Sequence, residues 1–291
     1  MKLIYEPAPG ISWHTIKGAG SRKGNYMLPD YHFHTDFSGD SDTPVCAQLE
    51  KAISLGMSSL CVTDHHDYDV VSPIDFTLDA EAYMETMAEL KEEYKGRIDL
   101  HIGIELGLQT HLKEYFNQLL SEYPFDFVIG STHFINRTDP AYPEYFEGRT
   151  EEEVYLQYFQ TTLDNVKSLD AYDVAGHIDY IVRYGPNKAE FYSYEAYRDV
   201  LDDILRAIIE KGKGIECNTA GFRKGIGQPN PCVPVLKRFK ELGGEILTIG
   251  SDAHVPEDLG ADFKTARKLL SECGFSYYTE FKGRKPEFKR L

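Results

Sequence analysis

DYHFHTDFSGDS, residues 30–41, sets His32 and His34 two positions apart in a short run of strand-forming residues. Successive side chains on a strand point to opposite faces. His32 and His34 therefore share one face, and Tyr31 and Phe33 share the other. Inward imidazoles and outward aromatics suit one strand of a barrel whose outside is covered by helices. The segment GSDAH, residues 250–254, repeats the geometry near the other end of the chain, with Asp252 and His254 on one face and Ala253 on the other.

Working outward, short apolar runs alternate with helical patterns. The strand expectations are 30–35, 58–65, 99–108, 126–134, 172–181, 214–220 and 245–254. Their β-branched and apolar content suits buried parallel strands. Between them, Val200, Ile204, Leu205 and Ile208 recur at helical spacing behind Ser193, a capping residue, and ahead of Gly212. Residues 79–94 and 151–169 read the same way. Thr43 and Pro44 read as an N-cap and first helical residue, with the helix stopping before Gly56. Seven strands alternating with helices imply an α/β fold with a parallel sheet and right-handed crossovers. Histidine and carboxylate side chains close all but one of the seven runs. A closed ring brings those ends to one mouth, whereas an open sheet leaves its edges far apart.

The formal net charge of -16 argues against nonspecific binding to nucleic acid and against docking on anionic lipid, while leaving room for local basic groups in a pocket that takes an anionic substrate. Five cysteines without a CxxC pair read as reduced thiols, and the first residues, MKLIYEPAPGISWH, contain no apolar stretch of signal-peptide length. No run reaches the roughly 20 apolar residues of a membrane span. A cytoplasmic protein of one domain over 1–291 is expected, with 1–29 as an N-terminal extension that carries the only tryptophan, Trp13. Nothing in the sequence specifies an oligomeric state.

The candidate ligands are His32, His34 and Asp40 in the first stretch, His65 in VTDHHD, Glu105 in IGIELG, His133 in GSTHF, His177 in AGHIDY, and Asp252 and His254 in GSDAH. Imidazole and carboxylate without thiolate suit zinc, iron or manganese. The set exceeds what one ion takes from protein, so two or three divalent transition-metal ions are expected, with Glu105 placed to bridge. His65 shares a strand face with Cys61 and Thr63 and is the better ligand of its pair, with His66 as its alternative. His101 lies on the face of Glu105 but about 13 Å deeper at ~3.3 Å per residue. His14 and His111 read as ordinary surface or core residues.

In order, HFHTDFSGD, TDHHD, GIE, GSTH, GHID and GSDAH resemble the motifs of the polymerase-and-histidinol-phosphatase (PHP) family, over residues 32 to 254. The resemblance implies a distorted, TIM-barrel-like (β/α)7 barrel and a trinuclear metal centre. By motif, one metal would take His32, His34, Glu105 and Asp252, a second Asp40, His65 and His254, and a third Glu105, His133 and His177. Some members have histidine where this chain has Asp40. Within the family the chain looks most like the stand-alone histidinol-phosphate phosphatases, through GSTHFINRTDPAYPEYFEGR (130–149) and GHIDYIVRYG (176–185). The implied reaction is phosphomonoester hydrolysis by a metal-bound hydroxide, with a small phosphate ester as substrate. Glu105, Asp252 and His254 are the candidate catalytic residues. Arg183 and Arg223 follow strand ends, and the guanidinium fork suits phosphate; Arg137 and Lys224 are weaker candidates. Tyr142, Tyr145 and Phe146 are available for the rest of the substrate. The alternatives are another phosphoesterase of the same family, acting on a nucleotide, oligonucleotide or phosphotyrosine, a metal-dependent amidohydrolase, and a metal-stabilised scaffold.

Overall fold

The computed structural model describes residues 27–291. Trp13, His14 and the bulk of the expected N-terminal extension lie outside the described residues. The core is a curled parallel sheet built from β1 (Ser59–Val62), β2 (His65–His66), β3 (Asp99–Gly107), β4 (Phe127–Ser131), β5 (Val174–Ala175), β6 (Gly214–Asn218) and β7 (Leu247–Gly250). Neighbours run β1, β3, β4, β5, β6, β7, with β2 also pairing β3. The helices α1 (Val45–Ser54), α2 (Ala80–Glu93), α3 (Lys113–Glu122), α4 (Glu151–Ser168), α5 (Arg198–Glu210), α6 (Ala220–Arg223), α7 (Val233–Glu241) and α8 (Phe263–Glu272) connect or follow the strands.

Segment 30–34 closes the ring. On one side Tyr31 N–H donates to Ile249 O (3.0 Å), Asp252 N–H to His32 O (2.6 Å) and His34 N–H to Ala253 O (2.8 Å). On the other side Cys61 N–H donates to Asp30 O (2.9 Å) and Thr63 N–H to Phe33 O (3.1 Å). It is not a regular strand, because side chains replace part of the ladder. Phe33 N–H donates to Thr63 Oγ1, and the Asp30 carboxylate accepts from the N–H groups of Ser251 and Gly260. This irregular seventh stave distorts the barrel. It also overturns the expected alternation at Tyr31. The ring of Tyr31 packs with Cys61, Phe127, Ile129 and Val174, while Phe33 joins the larger core that includes Leu49 and Tyr83. Register puts Ile129 beside Glu105, so the Tyr31 group fills the barrel interior beneath that acid.

Helix boundaries follow their caps. Asp79 accepts from Ala82 N–H ahead of α2, and Thr150 forms a capping box with Glu153 ahead of α4. Ser193 accepts from Ala196 N–H in the short helical turn before α5. The expected cap at Thr43 does not form. Pro44 holds the N-cap position of α1, and the Thr43 hydroxyl donates instead to His254 O (2.7 Å). A residue expected to start a helix thus ties that helix to the site.

A C-terminal hairpin, β8 (Tyr277–Lys282) and β9 (Lys285–Arg290), is absent from the sequence expectations. Gly283 and Arg284 both have positive φ (53° and 62°), the backbone of a tight two-residue hairpin turn. The hairpin closes the barrel floor. Tyr31 Oη donates to Phe281 O, and Gly283 N–H donates to Asp126 Oδ1. Deep in this region His101 lies near Asp99 and Asp126, at the opposite end from the clustered ligands, as its depth on β3 requires.

Candidate metal centre

Glu105, fully buried on β3, is the hub. Its carboxylate lies 3.1 Å from His32 Nε2, 3.6 Å from His34 Nε2, 3.2 Å from His65 Nδ1, 3.2 Å from His133 Nε2 and 3.0 Å from His177 Nε2. Parallel register sets His65 on β2 directly beside Glu105. His133 and His177 each follow the last residue of a strand by two. Asp252 Oδ1 is 3.5 Å from His34 Nε2, and His254 Nε2 is 3.1 Å from Asp40 Oδ2. Asp40 also lies 3.8 Å from His65 Nε2. All nine expected side chains therefore meet at one mouth of the barrel. His66 turns away: its Nδ1 accepts from Leu78 N–H and its Nε2 contacts Tyr115 Oη.

Two ring nitrogens in this space make no hydrogen bond: His34 Nε2 and His65 Nδ1 are buried and have no hydrogen-bond partner among the described residues. Donor atoms of His32, His34 and Asp252 converge, as do those of His32, Glu105 and His177, of His34, His65 and His254, and of His65, Asp67 and His133. Orphaned imidazole nitrogens facing carboxylates fit a shared cation better than a hydrogen-bond network.

Burial opposes ionisation of Glu105, but the imidazoles of His32, His133 and His65 hold it well below the usual carboxylate range. Burial likewise opposes charge on Asp252, and Arg183 and His32 overcome it. Burial lowers His65, yet Asp40 and Glu105 bring it up to about 9. His34, by contrast, is pushed down to about 3 by burial and by His65 and His254 beside it.

These directions set how metal uptake depends on pH. His32, His65 and His133 are raised by the surrounding carboxylates, so the metal-free cluster holds protons there at neutral pH. A cation needs the bare imidazole and must displace them. Apparent metal affinity is therefore expected to climb from about pH 6 towards about pH 9, where His65 is half deprotonated. His34 adds no slope, being neutral throughout. Chelator competition across this range measures the effect, and a flat profile would contradict it.

Some residues around the ligands were not anticipated. Asp67 Oδ1 lies 2.9 Å from His133 Nδ1, and burial is overcome by His133 and His65 to bring Asp67 down to about 2. Its spacing, two residues after His65, was a usable signal. Ser38 Oγ lies 3.1 Å from His34 Nδ1, Ser131 Oγ donates to Glu105 Oε1, and Glu216 Oε2 lies 2.8 Å from His32 Nδ1. Asp252 itself adopts a left-handed backbone, φ 55°, unusual outside glycine.

The two arginines differ. Arg183 is buried, with Nη1 donating to Asp252 Oδ2 (2.8 Å), Nε to Asn230 Oδ1 (2.9 Å) and Nη2 to Asn218 Oδ1 (3.0 Å). Arg223 donates through Nη2 to Ser251 O and pairs with Asp258, while its buried Nη1 has no partner among the described residues. Arg137 is tied to Asp69, and Lys224 O accepts from Lys188 Nζ. Of the loop aromatics, Tyr142 is exposed, Tyr145 Oη contacts Gln157, and Phe146 is buried in the outer core rather than presented at the mouth. His111 pairs with Asp69 on the surface.

A distorted parallel barrel with an imidazole and carboxylate cluster at one mouth defines a class of metal-dependent hydrolase scaffold. The family model described as PHP domain matches residues 30–220, and the chain belongs to that family. The chain is 34% identical to the histidinol-phosphatase of Lactococcus lactis over 258 residues, 88% of this chain and 95% of that protein. It is 29% identical to the histidinol-phosphatase of Bacillus subtilis over 277 residues, 84% and 98% of the two chains. The crystal structure of histidinol phosphate phosphatase from Lactococcus lactis, complexed with zinc, L-histidinol and phosphate, is similar at a TM-score of 0.83 and 33% identity, covering 90% of this chain and 99% of that one. Among the described residues no helix is long and apolar enough to cross a membrane.

Proposed function

We infer that this chain is a histidinol-phosphatase, hydrolysing L-histidinol phosphate to L-histidinol and phosphate at a centre of two or three divalent transition-metal ions. The observation that carries the reading is the set of five imidazoles around the Glu105 carboxylate, in a chain related over nearly its whole length to histidinol-phosphatases. His32, His34, Glu105 and Asp252 would hold one ion, Asp40, His65 and His254 a second, and Glu105, His133 and His177 a third. The relative from Lactococcus lactis carries zinc, and the donor set here suits zinc, iron or manganese. When bound, such ions lower the pKa of water towards about 7 and neutralise phosphoryl oxygens.

The chain's own residues supply the frame. Glu105 joins the ligand groups through one buried carboxylate. Asp67 holds the His133 ring through Nδ1 and leaves Nε2 facing Glu105. Thr43 and Ser41 hydroxyls both donate to His254 O and fix that residue's backbone. Arg223 offers its unpartnered Nη1 to a phosphoryl oxygen. Arg183 offers the Nη hydrogens not used on Asp252 and Asn218. The buried Arg183 charge also keeps Asp252 ionised.

The test is phosphate release with elemental analysis, before and after chelation. Histidinol phosphate is expected to turn over well ahead of nucleotides, oligonucleotides and phosphotyrosine, and activity to vanish with the metal and return on reconstitution. Full turnover by protein verified as metal-free would sink the metal reading. A clear preference for another ester would redirect the substrate assignment.

A further inference from the structure

Strand β6 is the one stave that supplies no candidate ligand, yet its inward face is not idle. Register sets Glu216 beside Thr248 on β7 and, through the Val174–Gly214 pairing, in line with the His177 region after β5. The Glu216 side chain is buried, and no lysine or arginine pairs with it among the described residues. Its Oε2 lies 2.8 Å from His32 Nδ1. Its Oε1 accepts from the His177 backbone N–H (2.6 Å) and from Asn218 Nδ2 (3.2 Å). Asn218, two residues on and on the same face, also donates to Asp252 Oδ2.

Room for this carboxylate is made on both neighbouring strands. A Cβ on Gly250 would collide with the Cβ of His32 and lie 3.2 Å from Glu216 Oε2. One on Gly176 would collide with Ser131 Oγ and lie 3.4 Å from Glu216 Oε1. Two glycines thus flank one buried acid, and no side chain fits in either place.

We propose that Glu216 is a positioning residue that selects the ring tautomer of His32. A carboxylate only accepts, so once a cation has displaced the proton from Nε2, Glu216 holds the remaining ring proton on Nδ1. His32 Nε2 is the atom that faces Glu105 at 3.1 Å. Glu216 also fixes the backbone of His177 through its N–H, so one carboxylate orients two imidazoles from opposite sides of the cluster. The inference rests on the reading of His32 as a metal ligand.

Glu216→Gln preserves the shape and reverses the logic. The amide oxygen must stay on the side of the His177 N–H and the Asn218 donors. Its NH2 then faces His32 Nδ1 and donates to it, which drives the ring proton to Nε2, the wrong atom for a cation. Loss of such an outer partner weakens metal binding by about 10–100-fold. Zinc affinity by chelator competition is expected to fall by about that factor in Glu216→Gln. Circular dichroism of the metal-free variant is expected to show the wild-type secondary structure.

A second readout uses the wild type alone. 1H–15N spectra of the zinc-loaded, histidine-labelled protein are expected to show His32 protonated at Nδ1. Wild-type affinity in Glu216→Gln, or a zinc-loaded wild type with no proton on His32 Nδ1, overturns the inference while leaving the metal centre standing. Wild-type protein that binds no zinc overturns the metal reading and the inference with it. Should Glu216→Gln fail to fold, the wild-type spectrum decides.

Discussion

Glu105→Gln is expected to lower kcat/KM for histidinol phosphate by at least about a thousandfold and to strip metal from the purified protein. The size follows from the position of this carboxylate, which lies within 3.0–3.6 Å of five imidazole nitrogens. Gln keeps the volume and one acceptor but removes the negative charge that the ligand groups share. Metal ions contribute several kcal/mol of charge stabilisation, and each ~1.4 kcal/mol is a factor of ten in rate. Asp40→Asn is the informative contrast, because Asp40 is partly exposed and touches His65 and His254 without reaching Glu105. It should lose far less metal. Kinetics with metal content for both variants checks the ranking, and a Glu105→Gln enzyme that keeps its metal and its rate would remove Glu105 from the centre.

Arg183→Ala is expected to destabilise the metal-free protein by about 3 kcal/mol, a drop in thermal midpoint on the order of 6 °C. The guanidinium and Asp252 are both buried, at 4% and 7% side-chain exposure, and 2.8 Å apart. Removing the cation leaves Asp252 with only nearby imidazoles as counter-charges, and it strands the side-chain oxygen of Asn230 that accepts from Arg183 Nε. Metal affinity should fall as well, since Asp252 loses the partner that sets its direction. From sequence, Arg183 reads as a phosphate contact; its place against Asp252 makes a combined loss of stability and metal the expected result. Urea unfolding of the metal-free proteins, with zinc titration, separates the two effects. Unchanged stability would mean that the imidazoles alone suffice to hold Asp252.

Much of the site was legible because strand geometry is short-range. The i, i+2 pairs His32/His34 and Asp252/His254 were visible from their spacing, although segment 30–34 is irregular and Asp252 lies past the end of β7 with a left-handed backbone; the placing of His65 over His66 followed from alternation. His101 was set aside by depth alone, and it does lie at the far end, near Asp126. What escaped had no local signature or an ambiguous one. Thr43 carried a helix-cap pattern but spends its hydroxyl on His254, more than two hundred residues away. Tyr31 obeyed alternation on paper and breaks it because segment 30–34 is held partly by side chains. Phe146 sat in a loop that reads as substrate-facing, yet it packs into the core.

The order of motifs along the chain, the alternation of apolar runs with helical patterns, and the chemistry of imidazole with carboxylate were determined by the sequence alone. Each depends on spacing within a few residues. Which carboxylate serves which imidazole was decided only in three dimensions. Asp67 on His133, Glu216 on His32 and Arg183 on Asp252 are contacts between residues 66, 184 and 69 positions apart. The curl of the sheet and the closure through segment 30–34 create them. The terminal hairpin that floors the barrel belongs to the same category. A hydrogen bond across a barrel needs two chain segments at one place, and no local pattern records where a distant segment will lie.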